Sequence, residues 1–290
     1  MADASAPVPA RPWLAAGMMV SATLCFTSLD AILKSLAHEH GLGMLVLVRN
    51  LVQVLLLSAL APIVGRQIFH TRRFALHAAR GACIVATTVL IVLALVHLPM
   101  SQSYAITFSA PLMASLLALV VLKERPQPAQ WLLIVIGFAG VVVAIGPGTP
   151  NFGWPLLYPL GMAAANAIFY VLTRYASRSE ETLTLVFWGA AMASLWCLLA
   201  VPAIYESLPP RALGLLVIAG GFGTLAHLFA AAAFRRAPTA TVSPLLYSQI
   251  VWATLIGYVA FGETPPTTAL IGGAIVAASG IGIVRLAARG

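Results

Sequence analysis

The chain has 290 residues, of which 61% are hydrophobic and only 8% are charged, and its mean hydropathy is +0.97. A soluble domain carries roughly 25% charged residues, so this composition excludes a soluble globular protein and indicates an integral membrane protein. The net charge of +8 does not indicate a nucleic-acid partner, because the basic residues lie mostly in short loops between apolar runs.

Apolar runs of about 20 residues recur along the whole chain, and each is long enough to cross a bilayer as a helix. The alternation typical of a membrane β-barrel is absent, so the sequence predicts an all-α membrane protein. Residues 1–12, rich in Ala and Pro, are predicted to form a disordered cytoplasmic N-terminus. Ten transmembrane helices are predicted between Gly and Pro residues, at 13–36, 43–64, 75–96, 99–121, 128–146, 153–175, 182–204, 211–233, 239–261 and 266–286.

The first two predicted spans contain three charged residues, Asp30, Lys34 and Arg49. A charge in the membrane costs about 2.5–3.5 kcal/mol on insertion scales, so it is seldom present without a partner or a function. In one interpretation Arg49 or Lys34 binds an anionic group of a substrate, and Asp30 binds an amine or exchanges the coupling proton. In the other, Asp30 pairs with Lys34 or Arg49 and fixes the first two helices together.

The fourth predicted span contains Tyr104, a candidate substrate-binding residue, and Pro111 near its middle. Proline removes a backbone donor and weakens the helix near the midplane, so Pro111 is predicted to be a kink or gating position. A kink that serves packing alone is the alternative.

The other substrate-binding candidates are polar or aromatic residues of the sixth, eighth and ninth predicted spans. They are Asn166, Tyr170, His227, Tyr247, Ser248 and Trp252. His227 has a side chain that can titrate near neutral pH, but a single histidine in a membrane more often donates one hydrogen bond to a neighbour.

The sequence contains no signal for a cofactor, a metal or catalysis. Three widely spaced cysteines in predicted spans favour neither a disulfide framework nor a metal site. No G-x-x-x-x-G-K-[ST] loop supports ATP-driven pumping. A membrane-embedded enzyme is disfavoured because the loops are too short for a catalytic insert, and a channel or a scaffold subunit explains the buried charges less well.

The sequence repeats itself at an offset of 139 residues without a gap: Pro99 aligns with Pro238, and Glu124 with Glu263. The predicted halves are 13–146 and 153–286, with a linker at 147–152 and a cytoplasmic tail at 287–290. Five helices is an odd number, so the second half is predicted to be inverted relative to the first, as in many transporters. Each glutamate is predicted to cap the span that follows it.

Basic residues are distributed unevenly between the two predicted faces. With the N-terminus inside, 13 of the 16 Lys and Arg residues lie on the inner face. This bias predicts that both termini are cytoplasmic.

The segments SLDAILK at 28–34, LKERP at 122–126 and FGETP at 261–265 resemble the drug/metabolite transporter superfamily, in the branch with two EamA domains. The resemblance implies ten helices and a central cavity lined by spans 1, 3, 4, 6, 8 and 9. It also implies secondary transport, by alternating access, of a small amphipathic, ring-containing or zwitterionic metabolite such as an amino acid, a flavin or S-adenosylmethionine.

An exporter of drugs or metallophores is the alternative function. The expected location is a bacterial inner membrane, and the expected partners are a small-molecule solute and the lipid bilayer. A monomer is expected, with a homodimer left open. Direction, substrate and coupling are also left open.

Overall fold

The computed structural model describes residues 12–121, 128–148, 152–177, 179–237 and 242–287. The predictions for residues 1–11, for the Glu124 cap and for the end of the C-terminal tail lie outside these ranges, as does part of the predicted linker. In the ranges that are described the secondary structure is helical, and no strand occurs there.

Eleven α-helices form the described part of the bundle. They are α1 (Pro12–Leu36), α2 (Leu42–Val64), α3 (Phe74–His97), α4 (Met100–Thr107), α5 (Ala110–Val121), α6 (Pro128–Ile145), α7 (Leu157–Ala176), α8 (Thr182–Ile204), α9 (Pro210–Arg236), α10 (Ser248–Phe261) and α11 (Thr267–Ala287). Short 3-10 helices occupy Arg66–Phe69, Trp154–Leu156 and Ser243–Tyr247.

Six helical segments are long and apolar enough to cross a membrane: Trp13–Leu36, Leu42–Ile63, Phe74–His97, Trp154–Ala176, Thr182–Ile204 and Pro210–Arg236. Shorter apolar helices cover Ala129–Ile145, Leu245–Phe261 and Thr267–Ile283. The all-helical membrane class predicted from composition is confirmed. The number of spans depends on how the shorter helices are joined.

The fourth predicted span is not one continuous helix. α4 ends at Thr107 and α5 begins at Ala110, so the helix is interrupted at Phe108 and Ser109. Pro111 has no N–H to donate to the carbonyl of Thr107, and its ring crowds that carbonyl, which is the physical reason for an interruption here. The ninth predicted span is interrupted as well, because a 3-10 helix at Ser243–Tyr247 precedes α10.

The helices pack in pairs that join the two sequence repeats. α1 packs on α9 and α3 on α7, while α2 packs on α8 and α6 on α11. Glycines allow two close approaches. A Cβ at Gly220 of α9 would lie 2.5 Å from Cγ1 of Val52 in α2, and one at Gly81 of α3 would lie 2.6 Å from Cβ of Met192 in α8.

The largest apolar cluster of the described residues lies between α1, α2, α3, α4, α9 and α10. Leu33, Leu95, Met100 and Leu216 are completely buried in it. Several polar side chains from the same helices border this cluster, and they form the candidate site.

Candidate functional site

One face of α1 presents hydroxyl groups toward α10. Thr27 Oγ1 donates to the Thr23 carbonyl over 2.9 Å, so its donor is satisfied within the helix. The Thr23 and Ser248 hydroxyl oxygens lie 2.8 Å apart, which joins α1 of the first repeat to α10 of the second. The candidate Ser248 is therefore in contact with α1.

Asp30 lies further along the same helix and binds a tyrosine. The Tyr104 hydroxyl of α4 donates to Asp30 Oδ2, and Gln249 Nε2 of α10 donates to that hydroxyl oxygen over 3.4 Å. Tyr104 is 3% exposed, so this contact is shielded from water. A carboxylate that accepts from a buried hydroxyl is held in one orientation, which prepares it to bind a solute or a proton.

Arg49 of α2 is 7% exposed, yet its side chain forms no ion pair within the described residues. One guanidinium nitrogen donates to Asn50 Oδ1 over 2.9 Å and contacts Thr88 Oγ1 at 3.4 Å. Nε is buried without a hydrogen-bond partner. Its charge interacts electrostatically with Asp30 but is not paired with it.

Both ion pairs predicted for Asp30 are wrong. Asp30 binds Tyr104, and Lys34 forms its ion pair with Glu263, which follows α10. Lys34 lies one turn beyond Asp30, and its long side chain reaches the second repeat instead of folding back along α1. Glu263 caps a different helix from the one predicted. Its Oε2 accepts from the Met100 N–H at the start of α4 over 2.7 Å, and not from the helix that follows Glu263.

The remaining candidates border this region from α7, α9 and α10. His227 contacts the Phe26 ring edge-on at 5.1 Å and interacts electrostatically with Arg49. Asn166 Nδ2 donates to the Tyr170 hydroxyl over 3.1 Å.

Two aromatic candidates lie at or near the break between the 3-10 helix and α10. The Tyr247 ring packs 5.0 Å from Phe108, at the break between α4 and α5. Trp252 Nε1 is buried and has no partner among the described groups. The contact between Tyr247 and Phe108 therefore places one aromatic ring at each helix break.

Sequence reasoning missed three members of this arrangement, namely Gln249, Thr88 and Phe26. Gln249 follows Ser248 directly, and its polarity in an apolar span was the available signal. Thr88 and Phe26 gave no signal in the sequence, because their roles arise from contacts with other helices. No group of three or more His, Cys, Asp or Glu side chains that could hold a metal occurs among the residues the structure describes.

Comparison with known proteins gives a family match over both halves. The model of the EamA-like transporter family matches residues 13–146 and 153–285. A riboflavin transporter of Brucella anthropi is 26% identical over 76% of this chain and 80% of that protein. An S-adenosylmethionine uptake transporter of Rickettsia felis is 25% identical over 73% of this chain and 72% of that protein. A solved crystal structure, 19% identical, shares the fold with a TM-score of 0.64 over 95% of this chain and 98% of its own.

Proposed function

The chain belongs to the EamA-like transporter family and is a small-metabolite transporter, and we propose that it moves a ring-containing or zwitterionic solute by alternating access between two inverted five-helix halves. One observation carries this proposal. Hydrogen bonds join Asp30 and Tyr104 of the first repeat to Gln249 of the second, and the charge of Arg49 acts on Asp30, so these four residues form a polar cluster inside the bundle. Buried polar groups of this kind mark solute and ion pathways in membrane proteins.

The inverted arrangement is supported by how equivalent helices pack. At the 139-residue offset α1 corresponds to α7 and α3 to α9, so the contacts α1 with α9 and α7 with α3 are equivalent. α2 packs on its own counterpart α8, and α6 on α11. Phe108 and Tyr247 are also equivalent positions, and their rings contact each other at 5.0 Å. Such contacts are expected next to a two-fold axis.

Ten spans follow if the interrupted helices are joined. α4 with α5 forms the fourth span, and the 3-10 helix with α10 forms the ninth. The interruptions fall at Phe108–Ser109 and at the Tyr247–Ser248 junction, which correspond at the same offset. Discontinuous helices near the midplane, one in each half, are typical of secondary transporters. The break before Pro111 supports a hinge at this residue, and the gating role remains part of the proposal.

The orientation follows from the basic residues. The excess of Arg and Lys in the loops and tails of one face supports cytoplasmic termini in a bacterial inner membrane. The end of the bundle that contains Lys34, Met100 and Glu263 is then the outer end. The end that contains His77, Arg80 and Glu180 is the cytoplasmic end.

The polar cluster and the aromatic candidates together indicate the class of solute. Tyr170, His227, Tyr247 and Trp252 offer aromatic surface, and Arg49 offers a cation without an ion pair in the described structure. This combination suits a small molecule with a flat ring and an anionic group. Asp30 is the candidate for proton coupling, because a carboxyl group held by one hydroxyl can exchange a proton with little rearrangement.

The test is flux through purified protein in liposomes, with flavins, S-adenosylmethionine and aromatic amino acids, measured in both directions with and without a pH gradient. Saturable flux of at least one solute is expected, and efflux alone would select the exporter alternative. Tyr104→Phe removes a hydrogen bond to a charged group worth about 1.5–3 kcal/mol, so kcat/KM should fall about 10- to 100-fold.

The matched control is Tyr258→Phe, because Tyr258 is 62% exposed on the surface of α10. It should leave flux unchanged. Asp30→Asn should abolish the response to the pH gradient if Asp30 carries the proton. Flux that is equal in wild type and Tyr104→Phe would place the solute elsewhere.

A further inference from the structure

Glu263 joins the second repeat to two elements of the first. One carboxylate oxygen accepts from the Lys34 ammonium of α1, and the other accepts from the Met100 N–H over 2.7 Å. Met100 is the first residue of α4, so the carboxylate also satisfies a helix N-terminus. A single side chain of the second half thus holds α1 and α4 of the first half at this end of the bundle.

Two glycines build this position for the glutamate. Gly262 has a φ of +66°, and its N–H donates to the Tyr258 carbonyl over 3.1 Å, which ends α10. The Glu263 N–H then donates to the Gly257 carbonyl over 3.0 Å, so the chain turns back along the helix. A Cβ at Gly257 would lie 2.7 Å from Glu263 Oε2, so only glycine leaves room for the carboxylate there.

Lys34 is enclosed by the same segment. Its side chain is 6% exposed, and its ammonium lies 4.7 Å from the centre of the Phe261 ring. The Glu263 side chain is 17% exposed. Two opposite charges are thus removed from water together, and separating them requires both to be hydrated again.

The ion pair lies directly above the polar cluster. Lys34 is one helical turn from Asp30 on α1, and Met100 is one turn from Tyr104 on α4. The Tyr104–Asp30 contact and the Glu263 contacts therefore join the same two helices at successive levels. The ion pair therefore lies between this end of the bundle and Asp30 along α1 and α4.

We propose that the Lys34–Glu263 ion pair is the gate at this end of the transporter, and that it is closed in this structure. The proposal rests on the proposed function, since a gate presupposes alternating access. It adds the residues that must separate, and it gives Glu263 a second role as the positioning residue that holds α4, and with it Tyr104, against α1.

The gate is tested by cysteine accessibility, which needs no solute. A Thr27→Cys reporter is introduced after Cys25, Cys83 and Cys197 have been replaced by alanine, because Thr27 is completely buried one turn below Asp30. Purified protein in liposomes is treated with a membrane-impermeant maleimide. A Ser35→Cys protein, whose reporter is exposed at the Lys34 end, identifies the vesicle face to which the reagent must be added.

Lys34→Gln and Glu263→Gln each remove the ion pair, and the glutamine at position 263 keeps an oxygen that can accept from Met100. Both should raise the labelling rate of the Thr27→Cys reporter at least five-fold. Arg211→Gln and Glu39→Gln are matched controls, because they remove one exposed charge of each sign at the same end. Both controls should label like the parent, and the exchange Lys34→Glu with Glu263→Lys should lower the rate again.

A rise below five-fold in either glutamine variant overturns the proposal, because the pair is then not what keeps the end closed. Rapid labelling that persists in the charge exchange overturns it as well. The labelling experiment can be distinguished from the test of the proposed function. If none of the tested solutes is transported, the proposed function is wrong, while a measured increase in the labelling rate still supports the gate.

Discussion

Different side-chain contacts join the helices at the two ends of the bundle. At the Lys34 end, an ion pair and one backbone cap join Glu263 to α1 and α4. At the opposite end, Arg80 of α3 donates to the Leu185 carbonyl over 3.0 Å and to Thr173 Oγ1 over 3.1 Å, and His77 Nε2 lies 2.5 Å from Glu180.

The repeat does not conserve these side chains. At the 139-residue offset, Lys34 corresponds to Thr173 and Arg80 corresponds to Ala219. The polar groups of each end therefore arose on different helices of their repeats. We conclude that the duplicated backbone supplies the helix pairing, while a few side chains stabilise each end separately.

The largest expected effect is at the Arg80 end, where the charges are buried deepest. Arg80 is 2% exposed, and the Glu180 side chain, which interacts with its charge, is 8% exposed. Glu180→Gln leaves the buried guanidinium without its carboxylate, so the free energy of unfolding should fall by about 3 kcal/mol. The measurement is reversible unfolding in mixed micelles.

The neighbouring residue is the control. Glu181 is exposed, and its carboxylate accepts only from Gln67 Nε2, over 3.0 Å, among the contacts that the described residues show. Glu181→Gln should cost less than about 1 kcal/mol, as is usual for exposed polar pairs. Equal losses in the two variants would mean that the Arg80 end does not depend on a buried charge.

The contacts at the two ends also show which features the sequence can predict and which it cannot. Hydropathy located the six helices that are long and apolar enough to cross a membrane, because burial in lipid constrains about 20 consecutive residues at once. Pro111 indicated the break between α4 and α5, because the effect of a proline on a helix is local. The partner of Lys34 could not be predicted: Glu263 is 229 residues away, and their contact depends on how the two halves dock.

In the candidate site, too, single residues were predictable and contacts between distant residues were not. Asp30 and Tyr104 each stood out as a polar residue in an apolar span, but their hydrogen bond joins positions 74 residues apart. Gln249 gave no signal of its role, because its partner Tyr104 lies 145 residues away. The sequence shows which polar residues lie in apolar segments, and it does not show which of them pair.

The second expected effect is at the Lys34 end. Lys34→Gln removes one partner of an ion pair that is more exposed than the Arg80 network, and it leaves Glu263 bound to the Met100 N–H. The loss of unfolding free energy should therefore lie between the values for buried and exposed pairs, at about 2 kcal/mol. A double-mutant cycle with Glu263→Gln measures the coupling of the two side chains. A coupling free energy near zero would mean that this ion pair contributes no more to stability than an exposed ion pair does.

A smaller effect is expected at the turn that places Glu263. Gly262 has a positive φ, a conformation that costs a non-glycine residue about 1–2 kcal/mol, so Gly262→Ala should destabilise the protein by about 1 kcal/mol. Gly214 of α9 is the control, since a Cβ there meets no atom within 4 Å. Gly214→Ala should be neutral or stabilising because alanine favours a helix. The same unfolding assay compares both.

The smallest effect concerns the loops at the Lys34 end and depends on pH. Hydrogen bonding with the His40 side chain and from the Gly41 N–H holds the pKa of Glu206 below its ordinary value of 4.5. A carboxyl group with a lowered pKa stabilises the fold fully above its unfolded-state pKa, and the contribution disappears as the pH falls through the folded-state pKa.

Glu206→Gln should therefore lower the melting temperature slightly at pH 7, and the difference from wild type should shrink below pH 4.5. Glu39→Gln, which removes an exposed carboxylate at the same end, is the control and should leave the melting temperature at pH 7 unchanged. A difference that stays constant from pH 7 to below 4.5 would mean that the Glu206 contacts do not favour the ionised carboxylate, and that the loops are held at this end by packing alone.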